Sequence, residues 1–194
     1  MIVMQLLIAH LLGDFVFQSN SLLKKKYETW VGTFQHVLII TVFTILMLFP
    51  YWNTSWAWVV VGVIFVMHFV QDLLKVEFDK RFNDKKRSVT PFFVDQVLHI
   101  SLICLMGRGF QALPTMNLPE WLENLYFSDP VNVLLVSILL LTYTFDITRF
   151  QFERHESKTV KSYHPDHKGM TVRVLAFTII YLGVFLALGL DLLT

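Results

Sequence analysis

Residues 67–75 read MHFVQDLLK and residues 94–102 read VDQVLHISL, and the fold follows from what these two stretches have in common. His68 and Asp72 are four residues apart, as are Asp95 and His99, so on a helix each pair projects from one side. The spacing occurs a third time near the start, where AHLLGDFVFQ (residues 9–18) carries His10 and Asp14. All three pairs lie in otherwise lipid-soluble sequence, where each ionisable group costs roughly a few kcal/mol to insert. Three helices each carrying one imidazole and one carboxylate point to a function for these six residues.

The chain around them is apolar. Hydrophobic residues make up 55% of 194 positions and charged residues 16%, with a mean hydropathy of +0.55. Soluble domains carry about a quarter charged residues, so the composition predicts an all-α, polytopic membrane bundle. A net charge of +1 gives no reason to expect nucleic acid as a partner. The single cysteine, Cys104, excludes an intramolecular disulfide framework and a cysteine-rich zinc site, and is read as packing.

Six spans are expected, at about residues 1–18, 33–49, 56–74, 92–106, 131–150 and 172–193, in one integral-membrane domain. The first has no basic residue before its apolar run and no small-residue cleavage site after it, so it reads as a mature span and not as a signal peptide. Residues 19–32 and 75–89 read as loops rich in Lys and Arg, and Thr90 and Pro91 as a helix start. Residues 111–129, with the amphipathic PEWLENLYF, read as an interfacial segment. The loops after the first, third and fifth spans carry most of the basic residues, which makes them cytoplasmic and both termini external.

Alternation of direction then gives depth. His10 and Asp14 fall near the end of the first span, His36 near the start of the second, and His68 and Asp72 near the end of the third. Asp95 and His99 fall near the start of the fourth and Asp146 near the end of the fifth. All are expected in one layer reaching about 15 Å from the cytoplasmic face, where Lys75 and Arg149 can reach headgroups. Gln18, Gln71 and Gln96 flank the pairs as orienting donors.

Imidazoles and carboxylates in this ratio suit a divalent transition metal such as Zn, Fe or Mn. His10, Asp14, His68, Asp72, Asp95 and His99 are the candidate ligands, with His36, Asp146 and Arg149 as possible additions. A bound cation also relieves the burial of three carboxylates. No familiar signature such as HExxH is present, so ion pairing and proton relay stay open for the same residues. The HPDHKG string, with His164, Asp166 and His167, reads as an exposed turn in preference to a second metal site.

The motifs HLLGDFVFQ, HFVQDLLK and VDQVLH, carried by His10, Gly13, Asp14, Gln18, His68, Asp72, Lys75, Asp95, Gln96 and His99, resemble a family of small bacterial multi-pass membrane proteins of unknown function. The resemblance covers about the first 110 residues and implies a bacterial inner-membrane location. It implies no reaction.

The chemistry of the residues favours a metal-dependent membrane enzyme. The expected type is a hydrolase acting on a lipid or amphiphilic ester from the cytoplasmic leaflet. Asp14, Asp72 and Asp95 then supply ligands or a general base, and Lys75 holds an anionic headgroup. A metal-ion or proton transporter using the same layer is the second reading. A non-catalytic subunit that senses or anchors a soluble cytoplasmic partner, or assembles as a homo-oligomer, is the third.

Overall fold

A computed structural model of the chain describes residues 2–82, 89–110, 113–156 and 163–189, and over these it is helical. Helix α1 (Ile2–Leu11) runs into a π turn at Leu12–Val16. The chain then bends by 89° into α2 (Asn20–Glu28). Helix α3 (Trp30–Met47) follows after one residue, and α4 (Ser55–Phe82) leads to α5 (Thr90–Gly107). Beyond these come the short α6 (Glu120–Phe127), α7 (Asp129–Leu139), a second π turn at Leu140–Thr144, α8 (Phe145–Glu156) and α9 (His167–Leu188).

Among the described residues, five helical runs are long and apolar enough to cross a membrane, and six if the bent pair α1–α2 counts as one. Two stretches read as loops are helical instead. Residues 20–28 form α2 because Ser19 caps the helix, its Oγ accepting from Leu22 N at 3.2 Å. Helix α4 runs on to Phe82, past the expected end near residue 74, with Glu77 and Arg81 paired one turn apart at 2.6 Å. At 1.5 Å per residue its 28 residues extend about 42 Å, more than a hydrocarbon core of about 30 Å. Charge therefore marks where the apolar run ends, and the hydrogen-bonded helix continues past it. Helix α5 starts at Thr90, with Val89 in the capping position expected for Thr90.

Helix α1 lies at the centre, against α3, α5 and α7. Its approach to α3 is close: a Cβ added at Gly13 would lie 2.4 Å from Ile40 Cγ1. The buried stripe of α4 is Ala57, Val60, Ile64, His68, Asp72 and Val76, nearly one residue per turn. That of α5 is Asp95, His99, Ile103 and Gly107. Each stripe is apolar at one end and ionisable at the other. The apolar ends of α1, α4 and α5 form a core of Ile2, Leu6, Val60, Ile64 and Ile103, with Leu48 and Phe110. Their ionisable ends meet at the end of the bundle that carries the basic segments.

Helix α6 has no buried residue. It is tied down by Tyr126, whose hydroxyl donates to Met47 O and whose carbonyl accepts from Gln5 Nε2 at 2.9 Å. Burial, with Tyr51 as a lesser cause, raises the Tyr126 phenol above its ordinary range. Cys104 is exposed on the outside of the bundle and does not pack as expected.

Candidate metal centre

Four helices bring their polar ends to one place. His10, His36, His68 and His99 are at most 3% exposed, and Asp14, Asp72 and Asp95 at most 8%. The rings of His68 and His99 have centroids 3.9 Å apart, and His10 stands 5.3 Å from His99 and 5.6 Å from His68. His36 completes the group, 5.6 Å from His68. The three sequence pairs thus converge with His36 in one buried cluster.

Asp14 lies within the π turn at Leu12–Val16, with its carboxylate 3.9 Å from His10 Nε2. Its Oδ1 reaches His36 Nε2 at 3.0 Å, and its Oδ2 accepts from Gln96 Nε2 at 2.8 Å. Asp72 Oδ2 lies 3.5 Å from His36 Nε2 and 3.6 Å from His68 Nε2. Its other oxygen is 2.7 Å from Lys26 Nζ. Asp95 Oδ2 accepts from Lys75 Nζ at 2.8 Å, and its Oδ1 stands 3.5 Å from His99 Nδ1. Asp14 and Asp95 each accept a hydrogen bond through one oxygen, Asp72 is ion-paired through one, and all three turn toward an imidazole.

His99 is fixed in tautomer as well. Its Nδ1 lies 2.7 Å from the Asp95 carbonyl, an acceptor only, so Nδ1 donates there and Nε2 is the nitrogen left facing the cluster. That Nε2 and the Nε2 of His68 are both buried without a hydrogen-bond partner among the described residues. Buried polar atoms are rarely left so. Two groups have ligand atoms within 4.8 Å of one another: Asp14, His36 and His68, and His68, Asp72 and His99. His68 belongs to both.

Other expected residues take different places. Gln18 Nε2 lies 3.2 Å from His36 Nδ1, and Gln96 Oε1 is 3.3 Å from His10 Nε2, so both act on the cluster as expected. Gln71 Oε1 is buried without a partner. Lys75 pairs with Asp95 across the helix gap instead of reaching outward. Asp146 belongs to a separate polar group: it accepts from Arg173 Nη2 at 2.6 Å and from Asp166 N at 2.8 Å. Arg149 stands beside Glu153 at 3.4 Å and Asp166 at 3.9 Å. Asp166 caps α9, accepting from Gly169 N at 3.0 Å, which makes the HPDHKG string a helix entry.

Two ion-paired side chains escape the sequence reading. Lys26 sits in a run of three lysines that reads as a topology marker, and only the folding of α2 buries it. Arg173 is a single cation in an apolar run, the same signal that marks the His/Asp pairs. Its Nε donates at 2.7 Å to Leu141 O within the second π turn.

Beside the cluster, toward the basic end, lies a cavity of about 320 Å3. Asp14, Lys26, Lys75 and Gln96 form its floor, while Phe92, Ile147 and Phe150 line an apolar wall. His10, His68 and His99 also border a second, much smaller void of about 10 Å3, lined with them by Leu6, Ile40, Thr44, Ile64 and Ile103. That is near the least volume a water molecule needs.

Fold and site together define an all-helical protein with membrane-length apolar helices and a buried cluster able to hold a metal ion. The chain belongs to the family described as "Protein of unknown function (DUF3307)", whose model matches residues 2–127. That range contains every residue of the His/Asp cluster, together with Lys26, Lys75 and Gln96. No curated protein and no solved structure matches the chain.

Proposed function

We propose that this is a metal-dependent membrane-embedded enzyme, a hydrolase of a lipid or amphiphilic ester that enters from the cytoplasmic leaflet of a bacterial inner membrane. One observation carries the reading. Asp14 Oδ1, His36 Nε2, Asp72 Oδ2 and His68 Nε2 follow one another at 3.0, 3.5 and 3.6 Å. Ligands about 2.0–2.1 Å from a tetrahedral ion stand roughly 3.3 Å apart, which these neighbouring distances approach, and Asp14–His36–His68 and His68–Asp72–His99 each keep their ligand atoms within 4.8 Å of one another, a spacing that supports a Zn, Fe or Mn ion.

The ion would lower the pKa of a bound water and polarise the ester. The chain's own groups supply the rest. Gln96 and Lys26 hold Asp14 and Asp72 in direction, and Lys75 holds Asp95. A carboxylate oxygen not engaged by the ion can take the proton from the attacking water as the ester bond breaks, and that proton passes to the departing alcohol. The cavity admits a substrate from the basic end, which the positive-inside rule assigns to the cytoplasm.

A transporter needs a polar route through both halves of the bundle, and the apolar core of Ile2, Leu6, Val60, Ile64 and Ile103 beyond the cluster favours a blind site. Elemental analysis of the detergent-purified chain is the decisive test. We expect near-stoichiometric transition metal in wild type and its loss in His68→Ala. A wild type free of metal after expression in metal-supplemented medium removes the proposal.

A further inference from the structure

The cavity is built from two parts of the chain with different standing. Its floor comes from residues 2–127, the range that the family model matches. The facing wall comes from beyond it: Ile147, Phe150 and Gln151 on α8, and Tyr163 before α9. Tyr163 is placed from both sides, since its carbonyl accepts from Asn20 Nδ2 of α2 at 2.9 Å and its ring meets Phe150 at 5.7 Å. Its hydroxyl oxygen is buried and has no hydrogen-bond partner among the described residues. Tyr163 itself is half-buried, but an enclosed hydroxyl without a partner among the described residues, on the wall of a cavity, is a donor available to a ligand.

Charge indicates which ligand. Asp14, Asp72, Asp79 and Asp95 stand in or just behind the cavity with Lys26, Lys75 and Lys80. Counted formally, four carboxylates against three ammonium groups leave these side chains with a net negative charge. A divalent ion reverses that sign and makes an anion favourable beside it. Three lysines around the space suit the compact charge of a phosphate, and Phe92, Ile147 and Phe150 offer the adjoining apolar slot.

We propose that the ligand is an amphiphile with a phosphate headgroup, its oxyanion set against Lys26, Lys75 and Lys80 and receiving a hydrogen bond from Tyr163. Ile147 and Phe150 cover the first carbons of its chain. The α8 wall and Tyr163 are then what select the ligand, while residues 2–127 carry the metal chemistry. The proposal rests on the metal-enzyme reading above. Burial, reinforced by Asp146, pushes the Tyr163 phenol up to about 12, so at neutral pH it keeps the proton it donates.

The test uses the full metal-loaded chain in phosphatidylcholine nanodiscs, titrated with dodecyl phosphate and with inorganic phosphate against empty discs, with metal content measured on the same samples. Wild type is expected to bind dodecyl phosphate at least about ten-fold more tightly than inorganic phosphate. Tyr163→Phe, which removes one oxygen and keeps the ring, weakens both about ten-fold. Phe150→Ala weakens dodecyl phosphate alone, and both variants keep their metal. Equal affinity for the two probes in wild type overturns the amphiphile assignment in favour of free phosphate. Unchanged binding in Tyr163→Phe overturns the role of the hydroxyl. Retained metal with no binding of either probe overturns this proposal and leaves the metal centre standing, whereas absence of metal from wild type removes both.

Discussion

Lys26 Nζ and Asp72 Oδ1 lie 2.7 Å apart with side chains 4% and 1% exposed, joining a helix that looks like a surface loop in the sequence to the most buried carboxylate of the cluster. Removing the cation leaves that carboxylate uncompensated, and breaking a buried pair in this way costs about 3–5 kcal/mol. Lys26→Met should therefore lower the thermal unfolding midpoint in detergent sharply. Adding Asp72→Asn should recover much of the loss, because the pair is coupled. Additive losses in the double variant would mean that the two residues act independently.

Helix α2 reaches Asp72 only because Gly32 lets it lie on α3. A Cβ at Gly32 would stand 2.2 Å from the Lys25 carbonyl carbon and 2.5 Å from Lys26 N. Those are backbone atoms that a rotamer change cannot move, so α2 itself must shift. Gly32→Ala is expected to reproduce most of the Lys26→Met destabilisation. Gly62→Ala and Gly183→Ala, where an added Cβ meets nothing within 4 Å, should be neutral or stabilise by about 0.5–1 kcal/mol. Equal unfolding midpoints for all three variants would show that the contact does not hold α2.

The contrast between Lys26 and His68 shows what the sequence discloses. His68, Asp72, Asp95 and His99 stand out because an ionisable residue in an apolar run is costly, and i, i+4 spacing fixes their side of the helix without reference to anything else. The helical class and the approximate spans follow from hydropathy alone. Lys26 carries no such mark: a lysine beside two others looks solvated until the 89° bend after the first helix is known. That bend depends on tertiary contacts at Gly32 and Asp72. Asp146 fails in the opposite way, since depth groups it with the His/Asp layer and only its lateral position gives it to Arg173. Depth along a helix can be counted from sequence, but position around the bundle cannot.

Tyr163 gives the fold a pH dependence with a definite sign. Its phenol rises from 10.0 to about 12 in the folded chain, so between those values the unfolded chain has released the proton that the folded chain retains. Folding stability contributed by this group is complete below pH 10 and is lost as pH rises through 12. Tyr163→Phe should therefore lose less stability than wild type when unfolding midpoints at pH 9 and pH 11 are compared. Parallel declines in the two proteins would show that the hydroxyl is not withheld from solvent.

Metal loading should be graded across the cluster in an order set by geometry. His68 belongs to both groups of ligand atoms, so His68→Ala removes a ligand whichever group the ion occupies and should abolish loading. Gln96 donates to Asp14 Oδ2 at 2.8 Å without being a candidate ligand. Gln96→Leu should lower metal affinity by about 10–100-fold, as loss of an orienting partner does, while leaving a site that fills at high metal concentration. Asp146→Asn should keep wild-type affinity, because its partners are Arg173 and the backbone of Asp166. Metal titrations of the three purified variants measure the order directly. If Asp146→Asn proved as damaging as His68→Ala, the ion would have to lie nearer α8 than the imidazole cluster, and the ligand set would need redrawing around Asp146.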